Sequence, residues 1–166
     1  MAVSDDILAS YRGPRRVLAR ILAAPRREDR PLGYLIAALI VGFIALWPGM
    51  AREAHFMPEV PLGQRMLGAA LGMLVLVPVF YLLAGASAYL AKLIGGRLDF
   101  YGARVALFWA LLASSPLMLL QGLVSGFIGA GPQLAVTGAL VFCVFAWFWI
   151  SGLRLSAFGK EQVDGA

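Results

Sequence analysis

The stretch VALFWALLASSPLMLLQGLVSGFIGAGPQLAVTGALVFCVFAWFWISGL, Val105–Leu153, contains no charged residue between Arg104 and Arg154. A helix needs about 20 apolar residues to cross a bilayer. The 49 uncharged residues here are too many for one crossing and the right number for two. Gly129-Ala130-Gly131-Pro132 lies between the two halves and has the composition of a tight turn. The run therefore predicts a third span over 105–127 and a fourth over 133–152, antiparallel because their connection is short.

Two more spans precede it. Pro31–Ala51 is free of charge, and 32–50 as a helix would be about 28 Å long, close to the roughly 30 Å hydrocarbon core. Residues 66–91 are again uncharged, with Pro78 in the middle. Membrane helices tolerate proline because neighbouring groups satisfy the freed carbonyl, so Pro78 and Pro116 read as kinks. A re-entrant break at either is the alternative; it would lower the span count and move the tail to the other side.

The predicted fold class is thus all-α, a polytopic membrane helical bundle of about four transmembrane helices. It divides into a basic amino-terminal segment (1–31), a transmembrane domain (32–153) and a tail (154–166). Composition agrees: 61% of residues are hydrophobic and 14% charged, against about 25% charged in soluble domains. Net charge is +5, but its placement points to lipid rather than nucleic acid. The amino-terminal segment carries Arg12, Arg15, Arg16, Arg20, Arg26, Arg27 and Arg30, the middle loop Lys92, Arg97 and Arg104, and the tail Arg154 and Lys160. Only Arg52 and Arg65 fall on the other side. Cytoplasmic loops hold the excess of Lys and Arg, so both termini are expected in the cytoplasm. An even number of spans demands the same.

Trp47, the Phe100-Tyr101 pair and Trp147-Phe148-Trp149 fall at the predicted interfaces, as an aromatic belt would. The first thirty residues lack the order of a cleaved signal, since the arginines precede the apolar run. Residues 14–24 form an amphipathic helix started by Pro14, with Val17, Leu18, Ile21 and Leu22 on one face. It is expected to lie on the membrane surface, with Arg15, Arg16 and Arg20 near anionic lipid.

The inner loop Lys92-Leu93-Ile94-Gly95-Gly96-Arg97-Leu98-Asp99-Phe100-Tyr101-Gly102 is the other candidate contact, through Lys92, Gly95, Gly96, Arg97, Phe100 and Tyr101 to a partner or lipid. A lone Gly-Gly lacks the Walker pattern, so turn geometry is its first reading. Small residues recur at four-residue spacing in Gly68 and Gly72, Ala84 and Ala88, and Gly122 and Gly126. That spacing lets helices approach closely, within the bundle or with another subunit. Ser114 and Ser115, beside Pro116, are placed to bond the carbonyls it frees.

None of the four predicted spans holds Asp, Glu, Lys, Arg or His, the residues that pumps, transporters and intramembrane enzymes place in the membrane. His55, with Glu53 and Glu59, lies in the outer loop and makes a poor metal set. Cys143 is the single cysteine. No catalytic residue, cofactor site or metal site is expected.

The order of parts resembles the bacterial branch of the Yip1 family of polytopic membrane proteins. The resemblance rests on Pro14-Arg15-Arg16, on Lys92-Leu93-Ile94-Gly95-Gly96-Arg97 closing the second span, on Phe100 and Pro116, and on the ending Trp149-Ile150-Ser151-Gly152-Leu153-Arg154. It implies a non-enzymatic membrane protein, whose eukaryotic relatives act in vesicle trafficking and contact Rab-type GTPases. The sequence departs from that pattern in lacking a fifth span after Gly152. It also has Asp99-Phe100-Tyr101-Gly102 where eukaryotic members have Asp-Leu-Tyr-Gly-Pro. The expectation is a multi-pass protein of a bacterial inner membrane that works as scaffold, assembly factor or accessory subunit, with another membrane protein or its own copies as partner. A small transporter or channel component is the alternative.

Overall fold

The charge-free segments are helical nearly from end to end in the computed structural model, which describes residues 3–96 and 99–158. Seven helices and no strand are found among the described residues: α1 Val3–Arg12, α2 Pro14–Ala23, α3 Asp29–Phe56, α4 Leu62–Leu93, α5 Phe100–Ala113, α6 Ser115–Phe127 and α7 Pro132–Phe158. The helices α3, α4 and α7 are each long and apolar enough to cross a membrane. At 1.5 Å per residue α4 is about 48 Å long. It and its neighbours therefore exceed a roughly 30 Å hydrocarbon core, which is why they outrun the expected spans 32–50, 66–91 and 133–152.

The residues of the expected third span, 105–127, form two helices, α5 and α6, meeting at a bend of 42°. The cause is local. Pro116 has no N–H to donate, and the Ser114 hydroxyl donates to the Ala110 carbonyl at 2.8 Å, a back-bond that bends helices. Leu117 N–H goes to the Ser114 carbonyl at 3.1 Å, so the Ala113 carbonyl loses its helical donor. The pair nevertheless advances in one direction along α3: Tyr34 meets Trp109, Ala45 meets Gly122, Pro48 meets Gly126 and Arg52 meets Gly129. By contrast α4 runs unbroken through Pro78, and α3 through Pro48.

Helices α4 and α7 run the opposite way to α3 and α5–α6: Glu53 meets Arg65 and Gly42 meets Met73, while Gly138 meets Gln121 and Gly152 meets Ala106. The result is an up-down-up-down bundle. One end gathers the starts of α3 and α5 and the ends of α4 and α7; it is called the basic end. At its centre α5 is enclosed on all sides, with Leu107, Phe108, Trp109 and Ala110 buried. Around it stand α1, α2, α3, α4 and α7.

The two glycine pairs differ. Gly122 and Gly126 press α6 onto the backbone of α3, where a methyl on either would collide with Ala45 or Pro48. Gly68 and Gly72 have nothing within 4 Å of that position and face outward, so among the described residues they pack against no helix. Gly122→Leu or Gly126→Leu should therefore disrupt assembly, by more than the roughly 1–3 kcal/mol typical of overpacking. Gly68→Leu and Gly72→Leu should leave it intact. Thermal midpoints of the detergent-solubilised variants check this, and equal losses in both pairs would contradict the packing.

Candidate functional site

The basic end holds nearly all the residues that the sequence marks for contact with lipid or partner. The expected amphipathic helix is present as α2, opened by Pro14. Its apolar face does not lie free for lipid. Val17, Leu18 and Ile21 are buried in the same core as Phe108 and Phe148, and Leu18 reaches Gly152 of α7. Arg15, Arg16 and Arg20 remain exposed on the other face.

Ahead of it lies α1, which the sequence reading did not separate from the basic segment. Its signals are modest: Asp5 and Asp6 in the first turn, Arg12 in the last, and Ile7 and Tyr11 at helical spacing. Yet α1 makes the most specific polar contacts in the molecule. The Tyr11 hydroxyl donates to the Ala113 carbonyl at 3.0 Å, the group orphaned by the break before Pro116. Next to it, the Trp109 indole N–H donates to Ser10 Oγ at 3.2 Å, and Ser10 itself donates to the Asp6 carbonyl at 2.8 Å. The Tyr11 ring meets Phe148 edge-on at 5.2 Å. Burial raises the pKa of the Tyr11 phenol, which keeps it a neutral donor.

The inner-loop candidates are occupied by folding. Gly95 takes φ +83°, its N–H bonds the Lys92 carbonyl at 3.1 Å, and Gly96 N–H bonds the Ala91 carbonyl at 2.8 Å. This is a Schellman cap on α4. Gly96 also lies against Ala157 of α7, where a side chain would crowd. Asp99 caps α5 by accepting from Gly102 N–H at 2.8 Å and pairs with Arg26 at 2.7 Å. Arg26 also stands over the buried Tyr101 ring, 5.7 Å from its centroid, and Lys92 over Phe100 at 5.3 Å. Arg104 pairs with Glu28 at 2.7 Å. The linker between α2 and α3 is thereby pinned to the start of α5. Arg97, also a candidate, lies outside the described residues.

Further pairs join Arg20 to Asp6 and Arg27 to Asp29. Arg12, Arg15 and Arg16 form no ion pair with a described residue. They cluster where α1 turns into α2 at Gly13, beside a cleft of about 650 Å³ between the two helices.

At the opposite end Arg52 donates to the Gly126 and Phe127 carbonyls, both at 3.3 Å, where a cation offsets the negative end of α6. Arg65 reaches Glu53 at 2.8 Å and the Val60 carbonyl at 3.1 Å, closing the loop between α3 and α4. His55 meets Phe56 edge-on. Among the described residues no group of three or more His, Cys, Asp or Glu side chains could hold a metal ion. A second cavity, of about 340 Å³, opens among α3, α4, α6 and α7, with Gln121 and Ser125 as its polar lining and Met73 and Met118 beside them.

Comparison with family models, curated proteins and solved structures brings no match to this chain.

The bond between Tyr11 and Ala113 generates a test. Tyr11→Phe keeps the ring on Phe148 and leaves a buried carbonyl unsatisfied, at a cost of about 1–3 kcal/mol. The variant should unfold at lower temperature in detergent at pH 7. The phenol's folded pKa is raised, so ionisation opposes folding: the wild type's advantage is full below the ordinary tyrosine value of 10.0 and shrinks as pH rises through and beyond it. Thermal melts of both proteins from pH 7 to 11 check the magnitude and the trend; superimposable melts would remove the role given to this bond.

Proposed function

We propose that the chain is a multi-pass protein of a bacterial inner membrane, crossing it four times with both termini cytoplasmic. In this reading it acts without catalysis of its own, as a scaffold, assembly factor or accessory subunit of Yip1-like type. The observation that carries it is the outer face of α4. Leu67, Leu71, Leu74 and Val75 are exposed there, and Gly68 and Gly72 stand on that helix with no neighbour within contact distance. Small residues that no described helix covers offer a lateral seat for a helix of another membrane protein or a second copy. The span count is supported by the bent pair, which advances along α3 as a single crossing would. The orientation is supported by the excess of arginine and lysine at the basic end. The resemblance in layout to the Yip1 family adds to the non-catalytic reading.

A second reading is favoured by one observation, the cavity holding Gln121 and Ser125 among α3, α4, α6 and α7. Polar groups facing a space inside a bundle suit the path of a small uncharged solute, so a transporter or channel component is the alternative. Purified protein in proteoliposomes separates the two. Solute flux above empty vesicles that falls with Gln121→Leu would establish transport and displace the scaffold.

Two outcomes are expected for the leading reading. Reporters fused at either terminus should both give cytoplasmic signals; a periplasmic signal at one of them would sink the four-span topology. Crosslinking in cells from Gly72→Cys should capture a defined neighbour or a dimer of the chain. Gly72→Leu should then abolish that adduct in a second-site crosslinking assay without lowering the protein's abundance.

A further inference from the structure

We propose that the cleft between α1 and α2 is a binding site for one anionic glycerophospholipid of the cytoplasmic leaflet, its phosphate held by Arg12 and Arg16. The proposal rests on the membrane reading above and gives it a specific ligand. Both guanidinium groups line the cleft and have no acidic partner among the described residues. An exposed pair of planar forks at one turn suits the bidentate geometry of a phosphate. Asp5 and Arg20 line the same space; with Arg20 paired to Asp6, the guanidinium groups of Arg12 and Arg16 still outnumber the one carboxylate there and the balance favours an anion.

One observation selects a lipid over a free phosphate. The cleft is amphipathic: Leu8 lines it and is 67% exposed, an apolar wall for an acyl chain beside the cationic end. Its volume of about 650 Å³ lies within the range of roughly 300–1,000 Å³ usual for small-molecule sites.

The test uses the full chain in lipid nanodiscs of equal phosphatidylglycerol and phosphatidylcholine, exchanged into detergent, with the lipids that remain bound measured by native mass spectrometry. The wild type should retain phosphatidylglycerol as a one-to-one complex, in preference to phosphatidylcholine by on the order of tenfold. R12Q/R16Q should lose that preference. R12K/R16K should keep part of it, and R27Q/R154Q, which removes equal charge elsewhere, should keep all of it. If R12Q/R16Q does not assemble, R16Q alone should give an intermediate preference. No preference in the wild type, or equal preference in R16Q, overturns the proposal, and so does displacement of the lipid by millimolar inorganic phosphate, which would make this a free-anion site. Alkaline carbonate extraction of cell membranes keeps the two readings apart. Release of the wild type sinks the membrane reading and the lipid site together, whereas retained protein without lipid preference overturns the site alone.

Discussion

A proline in an apolar helix leaves carbonyl oxygens without donors, and where water is absent something in the protein must supply one. Here the donor to Ala113 is the phenol of Tyr11, from a helix about a hundred residues away in the chain. That constraint organises the basic end. Tyr11 can reach Ala113 only if α1 lies against α5, and with it come the Trp109 to Ser10 bond and the edge contact on Phe148. The turn at Gly13 then returns the chain along α7, burying Val17, Leu18 and Ile21. Once α2 is seated, the following linker can place Arg26 on Asp99 and Glu28 on Arg104. The bend in the third span and the docking of the amino-terminal helices are thus one structural event.

The polar side chains at both ends act mainly as ties between segments. Asp99 serves as a helix cap and an ion-pair partner at once, and Arg52 caps the far end of α6 across from α3. The ion pairs at the basic end are largely exposed and contribute little individually. The value of Arg26 with Asp99 and of Arg104 with Glu28 is positional, since each links an element to one distant in sequence. Against that background Arg12, Arg15 and Arg16, which form no ion pair with a described residue, stand out at the α1–α2 turn, and the contrast gives them a different reading from their neighbours.

The all-helical character and the long apolar helices were legible in the sequence because the physics behind them is one-dimensional: length without charge. The caps were half legible. Gly95-Gly96 read as turn geometry, and it closes α4 in that way. Two features were not legible. Apolar residues on all sides of a helix mean either lipid around it or protein around it, and the letters are the same for both. Phe100–Ala113 and Leu62–Leu93 read alike, yet α5 is wrapped by five helices and much of α4 faces outward. The break at Pro116 was marked locally, but the donor that answers the freed Ala113 carbonyl is Tyr11, a partner no local pattern reveals.

The glycine pairs carry the same lesson into function. Gly68 with Gly72 and Gly122 with Gly126 share one spacing, and spacing alone assigns both to close helix packing. In the folded chain one pair is consumed by the contact between α3 and α6, leaving no room for a methyl group, and the other meets nothing. An interior pair is explained fully by the fold. An outward pair is not: glycine in mid-helix costs stability relative to alanine, and no contact with a described residue offsets that cost. A second helix seated on α4 would offset it, and the proposed role as scaffold or accessory subunit rests on that face.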